Sequence, residues 1–238
     1  MIAEADIWAI VPAAGAGTRL RGDAPKQYLP ILGRPVILHT LDRLCSYPRL
    51  RGLLVGLAPG DGFWPTLAVP KFERFIGTYK GGTVRAKTVL NGLTALSAHG
   101  KESDWVMVHD AVRPCVRHSD LDKLVAAAFG SVDGALLATP VADTVKRADN
   151  AGRVLETVSR AGLWRALTPQ MFQLRKLRDA LDAALAHSED ITDESTALER
   201  LGSRPVIVEG HPDNIKITHP SDLALAELFL RQQAGEDA

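Results

Sequence analysis

Short apolar runs alternate with longer amphipathic stretches along the chain. Residues 7–11, Ile-Trp-Ala-Ile-Val, are five apolar positions in a row and read as a strand buried on both faces. Residues 53–57, 104–109 and 135–140 share that character, and a shorter run at 74–76 ends at the pair Gly81-Gly82. Between these runs, residues 35–47 set Val36, Leu38, Leu41, Leu44 and Cys45 near a helical period, closed by Pro48. Residues 84–96 form the next predicted helix, and Ser119 caps another. Strands alternating with helices imply βαβ units and a mostly parallel α/β sheet.

The pattern changes after residue 140. Two polar, alternating runs at 143–147 and 154–160 flank a turn rich in Asn, Asp and Gly, which predicts a β-hairpin. It has few apolar residues with which to bury itself, and a lone hairpin is marginal in water. It is either an arm packed on a partner chain or a loose surface hairpin. Beyond it, residues 174–187 are helical, with Leu177, Leu181, Ala184 and Leu185 on one face. Thr192 is the expected cap of a further helix, 206–208 and 215–217 are expected strands, and a last helix starts at Pro220 and runs to about residue 233.

Composition narrows the class. Of 238 residues, 46% are hydrophobic, and the 28 basic side chains balance the 28 acidic ones. No basic excess points to nucleic acid, and no apolar run is long enough for a membrane. Cys45 and Cys115 show no metal spacing and read as free thiols of a reducing compartment. The first six residues lack the basic and apolar regions of a signal peptide, so a cytoplasmic location is expected.

Five clusters stand at strand ends or in loops, where ligands of open α/β sheets gather. The first follows the opening strand: Pro12-Ala-Ala-Gly-Ala-Gly-Thr-Arg-Leu20, with Pro25-Lys-Gln27 behind it. Glycines let backbone N–H groups approach an anion, and Arg19 and Lys26 would supply countercharge. It is not a dinucleotide fingerprint, since Leu20 stands where a small residue is needed, nor a P-loop, since Asp23 follows Gly22. On its glycines alone it is equally a plain turn. The second cluster, Gly81-Gly-Thr-Val-Arg-Ala-Lys-Thr88, either lays a base against backbone or is a turn with Thr88 in solvent. In the third, 109–114, Asp110 could hold a hydroxyl or a metal and Arg113 a phosphate, or the two could simply pair. His109 reads as structural. Thr144 and Arg160, across the hairpin, form the fourth. Lys216, between Ile215 and Ile217, should face away from both in the fifth. Five cations on separate clusters, against Asp110, suit two polyanionic substrates.

Together with Ala166-Leu-Thr-Pro-Gln170, Ile191-Thr-Asp-Glu194 and Asp213-Asn-Ile-Lys-Ile-Thr218, these motifs resemble the 2-C-methyl-D-erythritol 4-phosphate cytidylyltransferase family in order and spacing over essentially the whole chain. The resemblance implies a single nucleotidyltransferase domain over residues 1–238. Its fold would be a Rossmann-like, mostly parallel twisted sheet flanked by helices, with a protruding β-arm at about 141–162 that interlocks a homodimer. It implies CTP as donor and Mg²⁺ held mainly by the CTP phosphates, with no protein ligand to the metal assigned. Ala13, Ala14, Gly15, Gly82, Thr88 and Ala111 would line the nucleotide site. Arg19, Lys26 and Lys216 would be catalytic. Asp110, Arg113, Thr168 and Thr192 would surround methylerythritol phosphate, joined by Thr144 and Arg160 from the partner's arm. Thr88 stands where serine is usual, Val84 and Lys87 where acidic residues are, and Val112 where alanine is. A ribitol-5-phosphate cytidylyltransferase is the nearest rival, and a non-catalytic nucleotide-binding dimer is the rival from another class.

Overall fold

The computed structural model describes residues 5–15, 24–187 and 191–236. A seven-stranded sheet carries the fold. Its strands are β1 (Ile7–Pro12), β4 (Leu50–Leu57), β5 (Phe75–Lys80), β6 (Trp105–Val108), β7 (Ala135–Pro140), β10 (Trp164–Gln173) and β11 (Val206–Glu209), in the order β11-β7-β10-β6-β1-β4-β5. All neighbours pair in parallel except β10, which is antiparallel to both β6 and β7. Two small ribbons complete the strands: β2 (Pro30–Ile31) with β3 (Arg34–Pro35), and β8 (Val145–Ala148) with β9 (Val154–Val158).

The helices are α1 (Val36–Cys45), α2 (Arg85–Leu96), α3 (His118–Phe129), α4 (Leu174–Ala186), α5 (Glu194–Glu199) and α6 (Pro220–Glu236). They cover both faces of the sheet, because successive side chains of a strand point to opposite sides. In β1, Ile7, Ala9 and Val11 pack with the apolar stripes of α1 and α3, while Trp8 and Ile10 pack with those of α2 and α4. A continuous apolar run is what such a strand requires. Leu41 and Leu44 of α1 and Leu93 of α2 are fully buried, each stabilising the fold by roughly 1.5–3 kcal/mol through burial. A third, smaller core lies beneath α6, where Ala226 and Leu230 meet Ile31, Val112 and Ile217.

Four elements differ from the sequence reading. Helix α3 begins at His118 with Arg117 at its N-cap position and no side-chain cap, so Ser119 lies inside the first turn rather than capping it. Residues 164–173 form the central antiparallel strand β10, which the pattern did not announce. Pro169 interrupts the run, and pairing with β7 is irregular between Ala166 and Gln170. Residues 215–217 join no sheet; the Ile217 N–H donates to the Val112 carbonyl instead. The cap of α5 is Asp193 rather than Thr192, its carboxylate accepting the Thr196 N–H at 3.0 Å.

The hairpin forms as expected and stands clear of the core. Val154 and Leu155 are 62% and 63% exposed, and its own contacts are surface pairs such as Arg147–Glu156. Exposed pairs of this kind contribute at most about 1 kcal/mol each. It springs from the sheet between β7 and β10, where Trp164 pairs with Pro140.

Candidate active site

The carboxyl ends of β1, β4, β5 and β6 lie at one edge of the sheet. Backbone bonds fix the loops there: Ala13 N–H donates to Gly56 O at 2.8 Å, and Gly81 N–H to Leu57 O at 2.7 Å. Gly81 must be glycine, since a Cβ would come within 2.5 Å of the Ala14 Cβ and 2.9 Å of the Leu57 carbonyl. The Gln27 amide nitrogen donates to the carbonyls of Ala13 (2.9 Å) and Gly15 (3.4 Å), which orients the start of the glycine loop. Behind Gln27, the Tyr28 hydroxyl donates to Asp61 at 2.7 Å, anchoring the turn that carries Lys26.

Two cavities open at this edge. Ala13, Ala14, Gly15, Gly82, Thr88 and Ala111 all line the first, together with Lys26. Thr88 does not face solvent. It is 1% exposed, and its hydroxyl accepts the Gly82 N–H at 3.0 Å and donates to Val84 O at 3.1 Å, bracing the glycine turn. Arg113, Thr168 and Thr192 line the second cavity, alongside Gln170 and Asp193. Asp110, Lys216 and Arg85 belong to both walls. Thr144 and Arg160 are exposed on the arm, outside both walls, with Arg160 donating to the Ala142 carbonyl. Arg19 lies outside the described residues.

Asp110 is the centre of charge. Its Oδ1 meets Arg85 Nε at 3.1 Å, and its Oδ2 meets Lys216 Nζ at 2.9 Å and Arg113 Nε at 3.5 Å. Burial alone would raise this carboxyl. The three cations outweigh burial and hold it well below the usual carboxylate range. Lys216 faces away from the buried Ile217, as alternation predicts, and reaches Asp110 without belonging to a strand. Arg113 donates to the Asn214 carbonyl at 2.7 Å, and the Asn214 amide donates to Thr168 O at 2.8 Å, so segment 211–218 is sewn onto the loop after β6 and onto β10.

His109 is structural in position. It is fully buried, and burial pushes it down to about 4, so it is neutral at pH 7. Its Nε2 lies 3.0 Å from the Arg113 carbonyl, which can only accept, so Nε2 carries the proton. Nδ1 therefore accepts from the Thr168 hydroxyl at 3.0 Å. That hydroxyl also accepts the Asp110 N–H at 3.0 Å, so it aligns the Asp110 backbone.

Two residues with no role in the sequence reading complete the cluster. Glu194, 1% exposed, receives the Arg85 guanidinium on both oxygens at 2.6 and 3.2 Å. Burial raises the Glu194 carboxyl, and the two-pronged contact with Arg85 pulls it the other way, toward the anion. The Glu194–Arg85 pairing spans 109 residues, so no local pattern announces it. Among the described residues, no three or more His, Cys, Asp or Glu side chains gather as a metal-ligand group.

The profile of the 2-C-methyl-D-erythritol 4-phosphate cytidylyltransferase family matches residues 7–232. The protein of that name from Hahella chejuensis is 49% identical over 234 residues, covering 98% of this chain and 97% of the relative. A crystal structure of 4-diphosphocytidyl-2C-methyl-D-erythritol synthase superposes with a TM-score of 0.83 at 37% identity, covering 95% of this chain and 99% of that one. The Francisella tularensis 2-C-methyl-D-erythritol 4-phosphate cytidylyltransferase gives a TM-score of 0.81 at 32% identity, covering 94% and 99%.

Proposed function

The chain belongs to the 2-C-methyl-D-erythritol 4-phosphate cytidylyltransferase family, and from that membership we propose how its residues divide the work. It joins CTP to 2-C-methyl-D-erythritol 4-phosphate, giving 4-diphosphocytidyl-2-C-methyl-D-erythritol and pyrophosphate for isoprenoid precursor biosynthesis. The observation that carries the division of roles is the cluster around Asp110, which is shared by two cavities.

The cavity of small residues takes the nucleotide. Ala13, Ala14, Gly15, Gly82 and Ala111 let it lie against backbone, and Thr88 keeps the Gly82 turn in shape. Lys26, with Arg19, holds the triphosphate. The neighbouring cavity takes the acceptor, with Asp110, Arg113, Thr168 and Thr192 around it and Lys216 at the junction. The acceptor phosphate attacks the α-phosphorus of CTP in line. It is already an anion, so no general base is needed, and His109 is a weakened base with both ring nitrogens engaged. The obstacle is repulsion between two anions, which positioned cations relieve.

Mg²⁺ would be carried mainly by the triphosphate and would offset its charge. Among the described residues, both Asp110 oxygens are already engaged by cations. A homodimer is supported by the arm, which leaves Val154 and Leu155 exposed and carries Thr144 and Arg160 as candidates for the partner's acceptor site. A cytoplasmic location is supported by two buried free thiols, each pushed up to about 12 by burial. None of the described helices is long and apolar enough to cross a membrane.

The test is pyrophosphate release from CTP and Mg²⁺ with methylerythritol phosphate or ribitol phosphate as acceptor. Release with the first and not the second is expected. Release with ribitol phosphate alone would reassign the acceptor, and release with neither would defeat the reading.

A further inference from the structure

We propose that Arg85 and Glu194 are a positioning pair that fixes the Asp110 carboxylate and ties the nucleotide wall to the acceptor wall. Arg85 is the first residue of α2, the helix that carries Thr88 behind the glycine turn. Glu194 is the first residue of α5, directly after Thr192 and the capping Asp193. The guanidinium spans the gap between them, with both terminal nitrogens on Glu194 and Nε on Asp110. Glu194 lines neither cavity, so it acts on substrates only through Arg85. It is held in turn from β10: the Gln170 side chain accepts the Ser195 N–H at 2.9 Å and donates to Asp193 at 2.9 Å.

Arginine is required for this geometry. A planar fork can hold one carboxylate two-pronged and a second through Nε, whereas a lysine ammonium is a point charge without that fixed geometry. Asp110 in turn pairs with Lys216 and Arg113 through Oδ2. If Arg85 releases Oδ1, the carboxylate can rotate and those acceptor-side cations lose their fixed partner.

Charge and position make opposite predictions for the removal of Glu194. If it only balances charge, E194Q leaves the site more positive and tightens the hold on a phosphorylated acceptor. If it positions, E194Q loosens the acceptor. The experiment is steady-state pyrophosphate release by full-length wild type, R85K, E194Q and the double variant. Each single variant should raise the acceptor KM roughly ten- to a hundredfold, more than it raises the CTP KM, and be no worse when combined. A lowered acceptor KM in E194Q, wild-type constants in R85K, or additive effects would each overturn the pairing. Should E194Q fail to fold, R85K decides, because it keeps the charge. The inference rests on the acceptor lying beside Asp110. A wild-type protein inactive with CTP and methylerythritol phosphate overturns both, while active wild type with an unaffected R85K overturns the inference alone.

Discussion

Asp110→Asn removes one negative charge and little volume from the centre of the site. What remains is Arg85, Arg113 and Lys216 against Glu194 alone. At an effective dielectric near 20, each lost contact at 2.9–3.5 Å is a gross attraction of about 5 kcal/mol. The three losses do not add. Arg85 keeps Glu194, and Lys216, 39% exposed, can turn toward water, but Arg113 is 9% exposed and cannot. The net cost is therefore that of stranding one buried charge, roughly 3–5 kcal/mol. For a chain of this size that lowers Tm by roughly 6–20 °C. Urea unfolding followed by circular dichroism should show a lower midpoint at an unchanged slope. The pH dependence supplies a second check. Asp110 has a depressed folded pKa, so its contribution is full above about pH 4 and fades as pH falls further. His109 is also depressed, but as a base, so stability falls from about pH 6.5 toward pH 4 as the unfolded chain takes up its proton, by about 3 kcal/mol. The variant should keep the His109 limb and lose the lower one. Lys216→Met is the control: Asp110 keeps two partners, so stability changes by less than about 1 kcal/mol while turnover collapses. Destabilisation of Asp110→Asn by under about 1 kcal/mol, or an unchanged acid limb, would refute the assignment of Asp110 as the charge that holds Arg113.

Other substitutions separate the remaining roles. Lys26→Ala should cut kcat by roughly 10²–10³ with a modest change in the CTP KM, and a change confined to KM would move Lys26 from transition-state stabilisation to simple binding. Gly81→Ala forces a methyl group against Ala14 and the Leu57 carbonyl, so it should destabilise by roughly 1–3 kcal/mol and weaken CTP binding measured by calorimetry; wild-type values for both would show that the turn relaxes freely. Leu155→Glu on the exposed arm should shift the light-scattering mass from dimer to monomer, and an unaltered dimer would place the interface elsewhere.

The parallel core was legible because each strand is buried on both faces and so announces itself as an apolar run; β7 at 135–140 is placed to the residue. The strand β10 was not, because Pro169 and polar neighbours break the run at the point where pairing becomes irregular. Residues proposed to meet ligand through backbone are equally silent. Ala13, Ala14 and Ala111 came from family likeness, since an alanine carries no chemistry of its own. Asp110 and Arg113, three apart on one loop, could be read as a pair, and they are one. Glu194 could not, because its partner lies on a different helix and only the closed fold brings them together.

Inverting one strand gives the site its second half. In an all-parallel sheet every chain leaves the active edge by the same end of its strand, so each strand offers only the loop that follows it. Strand β10 runs the other way, and Gln170 pairs with Val108 beside the Asp110 loop. Its beginning therefore lies at the edge where its neighbours end. Thr168 can then reach back to the Asp110 N–H and His109, and Gln170 can hold the start of α5. The same inversion roots the arm there, because the chain leaving β7 must turn outward and return at Trp164 to start β10. The cavity proposed for the donor, built from loops after parallel strands, and the one proposed for the acceptor, built from the start of an antiparallel strand, thus share a single wall. Asp110, at the end of the last parallel strand before the inversion, is where the two meet.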